Sequence, residues 1–255
     1  MEMRGRVAIV SGGTAGIGKA IATCFVAEGA RVALLGRSDD DGRRAEAELC
    51  AIAQRHAGAG CVYLHADVRD SAQLATAVAA VVARWHQIHV LVNNAAIMKT
   101  GAVLDLAEDD WDQLMATNLK GPFLLSKLAI PAMPPGAAII NISSVHAVAT
   151  DACSAAYSAS KGGLEALTRA LALECYPRRI RVNALRLGAV DSRMLWDNPE
   201  VRSGAEKIEP CEIGSPQDIA EAALFLASAR ARFISGAVLT IDGGRLPLLG
   251  SHASP

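Results

Sequence analysis

An excess of one charge is the first thing this 255-residue chain lacks, because 25 Lys and Arg stand against 26 Asp and Glu for a formal net charge of -1. Without a positive surplus there is no long-range attraction for a phosphate backbone or an anionic lipid surface, so nucleic acid and membrane are not expected partners. Long apolar runs are missing too. A spanning helix needs about 20 apolar residues, and stretches such as Leu74 to Ala83 meet a charge well before that. The start is charged between Met1 and Arg6, and the apolar run after it is broken by Gly12, Gly13, Gly16 and Gly18, which is wrong for a secretory signal. Cysteine is present without a pattern. Cys24, Cys50, Cys61, Cys153, Cys175 and Cys211 form no Cys-x-x-Cys pair and have no histidine at ligand spacing, so neither a disulfide framework nor a metal site is indicated. They read as reduced, mostly buried thiols of a soluble cytoplasmic protein.

What is present is apolar material, 51 % of the residues, which excludes a disordered chain and suffices for one buried core. No compositional break divides it, so residues 1–255 are expected to form a single domain. Short β-branched runs read as strands at Val7 to Val10, Arg31 to Leu35, Cys61 to His65, His89 to Val92, Ala137 to Ile142, Arg179 to Ala184 and Ala237 to Ile241. Helical patterns lie between them at Ile17 to Glu28, Asp39 to Ala57, Ala72 to Trp85, Glu108 to Leu119, Pro122 to Ala132, Ala155 to Tyr176 and Pro216 to Ala227. Strands apolar on both faces, each followed by a helix, predict a doubly wound three-layer α/β sandwich around a seven-stranded parallel sheet. From Ala189 to Gly214 the period weakens and turn-forming residues accumulate, as in a lid or binding loop.

Three motifs carry chemistry. After the first strand, Ser11-Gly12-Gly13-Thr14-Ala15-Gly16-Ile17-Gly18 runs into a helix, an arrangement whose bare backbone and helix amino terminus suit a pyrophosphate. At the end of the second strand, where an acid would hold a ribose hydroxyl and repel a 2′-phosphate, stands Leu35-Gly36-Arg37-Ser38, so Arg37 favours the phosphorylated dinucleotide. Tyr157 and Lys161 lie four apart at the start of a helix and therefore share a face, with Ser144 thirteen residues before the tyrosine. A lysine ammonium beside the phenol is expected to lower its pKa and make it a usable proton donor and acceptor.

Taken in this order, the motifs resemble the short-chain dehydrogenase/reductase family, in its short single-domain branch, from Arg6 to Gly244. The resemblance implies a Rossmann-type fold and a nicotinamide cofactor held by the glycine motif at Gly12, Gly16 and Gly18, with Thr14 and Ile17 inside it and Ser11 where threonine is usual. The adenine-contacting acid matches Asp67, followed by Val68, and the Asn-Asn-Ala-Gly motif appears as Asn93-Asn94-Ala95-Ala96, Asn94 belonging to the cofactor site. Val190 and Ser192 match the positions that hold the carboxamide, serine replacing the commoner threonine. Catalysis is assigned by the same resemblance to Ser144, Tyr157 and Lys161, the last two also touching cofactor, and the relay behind the lysine to Asn118. One further departure stands beside Ala96: the usual Pro-Gly step is Leu187-Gly188, which frees φ beside the nicotinamide and predicts a looser loop.

The expectation is an NADP(H)-dependent oxidoreductase that moves a hydride between nicotinamide and a carbonyl or secondary alcohol, with ketone reduction favoured. The alternatives are an NAD-dependent alcohol dehydrogenase on the same scaffold and a cofactor-binding sensor without turnover. His146 is a candidate for a substrate contact rather than for the base, which the Tyr-Lys pair supplies. His65, His86 and His89 read as structural, and Asp109, Asp110 and Asp112 as a helix start complementing its dipole. Trp85 and Trp111 are expected to pack under helices and Trp196 to wall the pocket, within a lid over Ser192 to Gly214 where Arg193 offers a cation. Small and apolar residues over Asp112 to Ala132 and Ala155 to Tyr176 exceed one core stripe, and with the family's usual pairing of these helices they predict a homotetramer.

Overall fold

The computed structural model describes residues 1–204 and 208–248. Seven strands, β1 (Val7–Ser11), β2 (Arg31–Gly36), β3 (Gly60–His65), β4 (Val90–Asn93), β5 (Ala138–Ser144), β6 (Arg181–Leu187) and β7 (Val238–Ile241), form one parallel sheet in the order β3-β2-β1-β4-β5-β6-β7. The central strands β1, β4 and β5 are buried at every position because both faces are covered. Ala8 and Val10 of β1 join a core with Ile21, Phe25, Leu49, Ala220 and Ala223, whereas the alternate Val7 and Ile9 join a second core with Leu74, Val78, Leu125 and Leu171. The first layer therefore holds α1 (Gly16–Ala27), α2 (Asp39–Ala53) and α9 (Pro216–Ala227); the second holds α3 (Ser71–Trp85), α5 (Gly121–Ala129) and α6 (Ala155–Cys175). This is the sandwich the sequence predicts. Winding changes direction between β1 and β4, so their carboxyl ends open a crevice suited to a ligand. None of the helices among the described residues is long and apolar enough to cross a membrane.

Two predicted elements differ. The helix expected to stop at Leu119 continues: α4 (Glu108–Met115) passes through a π-helical turn at Ala116–Lys120 directly into α5. Pro122 has no N–H to give the carbonyl of Asn118, so the regular α-helical ladder is broken at that point and the wider turn takes its place. The irregular stretch 189–214 contains α7 (Arg193–Trp196), α8 (Pro199–Ser203) and a 3-10 turn at Pro210–Glu212, elements too short to leave a period in sequence. Both ends of that stretch are pinned where Val190 pairs with Gly214. Residues 205–207 of the predicted lid lie outside the described residues.

His89 shows how a side chain completes the β1–β4 junction. Its amide donates to the Val7 carbonyl at 2.8 Å, and its ring Nδ1 accepts from the Val7 amide at 3.1 Å. That nitrogen must stay unprotonated, and burial, aided by the nearby Arg6 charge, lowers the ring pKa. The unfolded chain then binds a proton at a pH where the folded chain does not, so this contribution to stability falls as pH drops below about 6.5. Urea unfolding at pH 7.5 and 5.5 is expected to show that loss, and His89→Gln, which keeps an acceptor without titrating, to remove its share of it.

Candidate active site

The glycine loop is built from backbone contacts that admit no side chain. Gly12 and Gly16 lie at φ +62° and +51°, and a Cβ at Gly18 would collide with the Gly12 carbonyl and the Asn94 amide. Asn94 Nδ2 donates to the carbonyls of Ser11 and Gly12 at 3.0 and 3.1 Å, and Ser11 Oγ accepts from the amides of Asn94 and Ala95. Serine thus does the work expected of the usual threonine. Helix α1, which follows, has no side-chain cap and no acid in its first turn, whereas α2 and α3 are capped by Ser38 and Asp70. Its amide dipoles are left for an external anion, which fits the dinucleotide that the sequence implies.

A cavity of about 800 Å³ runs from this loop to the end of β5. Thr14, Ile17, Arg37, Asp67 and Val68 line one end, Asn94 the middle, and Ser144, Tyr157, Lys161, Val190 and Ser192 the other. Arg69 grips the Asp67 carboxylate from Nε and from the terminal guanidinium nitrogen, at 3.0 and 2.6 Å, and holds it below the usual carboxylate range. Arg37, 3.8 Å from the same carboxylate and with 60 % of its side chain exposed, is only loosely engaged and remains available to a ligand.

At the other end Ser144, Tyr157 and Lys161 come together as predicted, but their electrostatics differ from the expectation. Burial pushes the Tyr157 phenol up to about 12, against a smaller downward pull from the Ser144 hydroxyl. Lys161 donates to the Ile142 carbonyl at 2.8 Å and sits 5.6 Å from the phenol ring centre. Burial brings it down to about 8. Low dielectric penalises phenolate and ammonium alike, so proximity alone does not make the tyrosine acidic. Asn118, fully buried in the π-helical turn, exchanges hydrogen bonds with the backbone of Ile97 at 2.9 Å each way and donates to Ser160 Oγ at 3.2 Å. Ser160 in turn donates to the Tyr157 carbonyl, a link that sequence reading passed over although the serine lies inside the Tyr-x-x-x-Lys motif.

Beyond Tyr157 the cavity is apolar along Ile97, Met98, Met194 and Leu195, with His146, Thr150, Asp151 and Asn198 among its polar residues. His146 stands edge-on to Tyr157 at 5.5 Å and meets Thr150 Oγ1 at 3.0 Å. Trp196 is not a pocket wall, because its indole turns outward and donates to Asp191 at 2.7 Å. Arg193 borders the cavity, with its side chain 93 % exposed and paired with Asp197. Trp111, 38 % exposed, is not packed under a helix either. Leu187, for its part, is buried and paired in β6 with Ser144 and Ile241, so the strand holds φ where a proline ring was expected. His86 ends α3 in a left-handed turn, a structural role like that of His89.

Residues 12–245 match the family model described as enoyl-(acyl carrier protein) reductase. The chain is 36 % identical over 243 residues to trans-4-hydroxycyclohexanecarboxylate dehydrogenase of Sinomonas cyclohexanicum, covering 94 % of this chain and 92 % of that one. It is 34 % identical over 252 residues to the NADP-dependent (R)-specific alcohol dehydrogenase of Lentilactobacillus kefiri, covering 95 % and 97 %. Among solved structures, a short-chain dehydrogenase from Burkholderia cenocepacia in complex with NADP superposes with a TM-score of 0.87 at 31 % identity, over 95 % of this chain and 98 % of that one.

The buried lysine gives a test with opposite signs for stability and activity. Because its pKa falls from 10.5 to about 8 on folding, the charge destabilises the fold below pH 8, and that cost fades as pH rises toward 10.5. Lys161→Met, of similar volume, is expected to raise the melting temperature of the ligand-free protein by about 5 °C at pH 7, with the gain shrinking near pH 10, while turnover is lost. Scanning calorimetry at the two pH values checks it.

Proposed function

The chain belongs to the short-chain dehydrogenase/reductase family, and from that premise we propose that it is an NADP(H)-dependent oxidoreductase that reduces a ketone to a secondary alcohol. The observation that carries the reading is the single cavity with Arg37 at one end and the buried Ser144–Tyr157–Lys161 group at the other. Support for the cofactor comes from the loosely engaged Arg37 and from the NADP named for the Lentilactobacillus and Burkholderia relatives. The direction follows the cofactor reading, because an NADPH pool kept mainly reduced favours ketone reduction.

Residues of this chain then divide the work. A nicotinamide cofactor bound along the cavity would supply hydride chemistry at the carbonyl carbon. Gly12, Gly16 and Gly18 let the backbone approach its pyrophosphate, and Val190 and Ser192 border the nicotinamide end. Ser144 Oγ donates to the substrate oxygen and fixes it beside Tyr157, whose phenolic proton passes to that oxygen as the alcohol forms. Lys161 opposes the phenolate left behind and reaches the nicotinamide ribose. Asn118 holds the π-helical turn whose carbonyl, deprived of an α-helical partner by Pro122, orders the water that returns the proton. Residues 1–255 form one catalytic domain in which the loop 189–214 selects substrate through Met194 and Leu195. An apolar groove lined by Met115, Leu119, Phe123 and Leu167, together with fully exposed Phe233, supports a homotetramer.

Two substitutions test the reading. Tyr157→Phe keeps the ring and removes the transferable proton, so cofactor-dependent ketone reduction is expected to fall by about two to four orders of magnitude, with NADPH affinity within a few-fold of wild type. Wild-type turnover in that variant would sink the mechanism. Arg37→Asp exchanges attraction for repulsion at the 2′ position and is expected to reverse a preference for NADPH over NADH, read as the ratio of kcat/KM values. A wild-type enzyme that already prefers NADH assigns the chain to NAD-dependent alcohol oxidation instead.

A further inference from the structure

The corner between β2 and α2 sets three carboxylates, Asp39, Asp40 and Asp41, directly after the arginine that faces the adenosine end of the cavity. Negative charge there opposes a 2′-phosphate, yet the corner disposes of the nearest one. Arg37 and Ser38 line the cavity and Asp39 does not. Its Oδ1 accepts from the Tyr63 hydroxyl at 3.0 Å and meets His65 Nδ1 at 2.9 Å, two partners on the same face of β3. The Tyr63 hydroxyl also lies 3.1 Å from the Gly36 carbonyl, the residue just before Arg37. Tyr63 reaches this height only because Gly42 in the first turns of α2 has no side chain, since a Cβ there would collide with the ring. The two contacts also hold Asp39 below its ordinary carboxylate range, so it stays charged and tethered. Asp41 is likewise taken up, by Arg44.

We propose that Tyr63 and His65, admitted by Gly42, form a clasp that withdraws the Asp39 carboxylate from the adenosine end of the cavity, and so act as positioning residues for discrimination between a 2′-phosphate and a 2′-hydroxyl. The inference rests on the reading that Arg37 faces the 2′ position. Released, a carboxylate two residues from that guanidinium competes for it and repels the phosphate. Both groups are half-exposed, so the effect is screened and amounts to roughly three- to tenfold in affinity at low salt.

Calorimetric titration of the full chain with 2′,5′-ADP and with 5′-AMP, which differ only in the 2′-phosphate, reads this without turnover. Tyr63→Phe combined with His65→Ala is expected to lower the affinity ratio of the two ligands about three- to tenfold at low salt, less in 0.5 M salt, and almost entirely through 2′,5′-ADP. Adding Asp39→Asn to that pair is expected to restore the ratio. Equal weakening of both ligands, or no rescue by Asp39→Asn, overturns the clasp. Should the double variant fail to fold, Asp39→Asn alone decides: a ratio within twofold of wild type is expected because the charge is already withdrawn, and a rise beyond threefold shows that Asp39 already acts on the site. A wild-type protein with no preference for 2′,5′-ADP overturns the NADP reading and this inference together, whereas a preference that the clasp variants leave intact overturns the inference alone.

Discussion

Everything in this site is referred to the contact between the ends of β1 and β4, where one asparagine amide and one serine hydroxyl bind two chain segments into a single turn. Asn94 donates to the carbonyls of Ser11 and Gly12, and Ser11 Oγ accepts from the amides that follow β4. Carbonyls and amides at strand ends have no ladder partner, and leaving them buried and unpaired costs on the order of 1–3 kcal/mol each. Their pairing fixes the glycine loop against the sheet and so fixes the start of α1. The same contact requires glycine at position 18, because the Asn94 amide occupies the space a Cβ would need. The glycine loop and the fold junction are thus one set of hydrogen bonds.

A second polar layer runs beneath the catalytic end. Asn93 donates to Asn141 and Ser126, Asn141 to Thr168, and Ser143 to Glu165, all buried. Glu165 also takes both nitrogens of Arg186, at 2.9 and 2.6 Å. Polar groups in a core are tolerated when most are satisfied, and here Asn93 Oδ1 is left over. The Asn93–Asn141 bond ties β4 to β5, while the others join α5 or α6 to β4, β5 or β6. The consequence is positional. Tyr157 and Lys161 sit about two turns and one turn before Glu165 along α6, so the network that anchors the helix also sets where the phenol stands relative to Ser144.

The strands, their order of appearance and the layered architecture were legible because a doubly covered parallel sheet writes continuous apolar runs into the sequence, and helices between them write a different period. Arg37, Ser144, Tyr157 and Lys161 were legible because chain-local motifs place them at strand ends or on one helix face. What sequence could not show depends on through-space environment. The outward turn of Trp196 follows from its bond to Asp191. The raised phenol and lowered lysine follow from shared burial, which no spacing encodes. The π-helical turn at Asn118 had a local signal in Pro122, four residues on, whereas the Tyr63–Asp39–His65 cluster joins β3 to α2 and left no trace in either segment alone.

The Leu187-Gly188 step shows how such contacts replace a lost local constraint. A proline fixes φ by its ring, so leucine at this position removes a restriction that acts even in the unfolded chain. In the folded protein the angle is held by other means, since Leu187 pairs with strands on both sides and Arg186 before it is clamped by a buried carboxylate. Gly188 after it lies so close to Asp242 that a side chain there would force the two segments apart. The entry to the 189–214 stretch is therefore held by tertiary contacts where a proline ring would act locally. Such contacts form only with the fold, which makes the placement of this end of the cavity a property of the assembled sheet and couples it to Glu165, the same group that anchors α6.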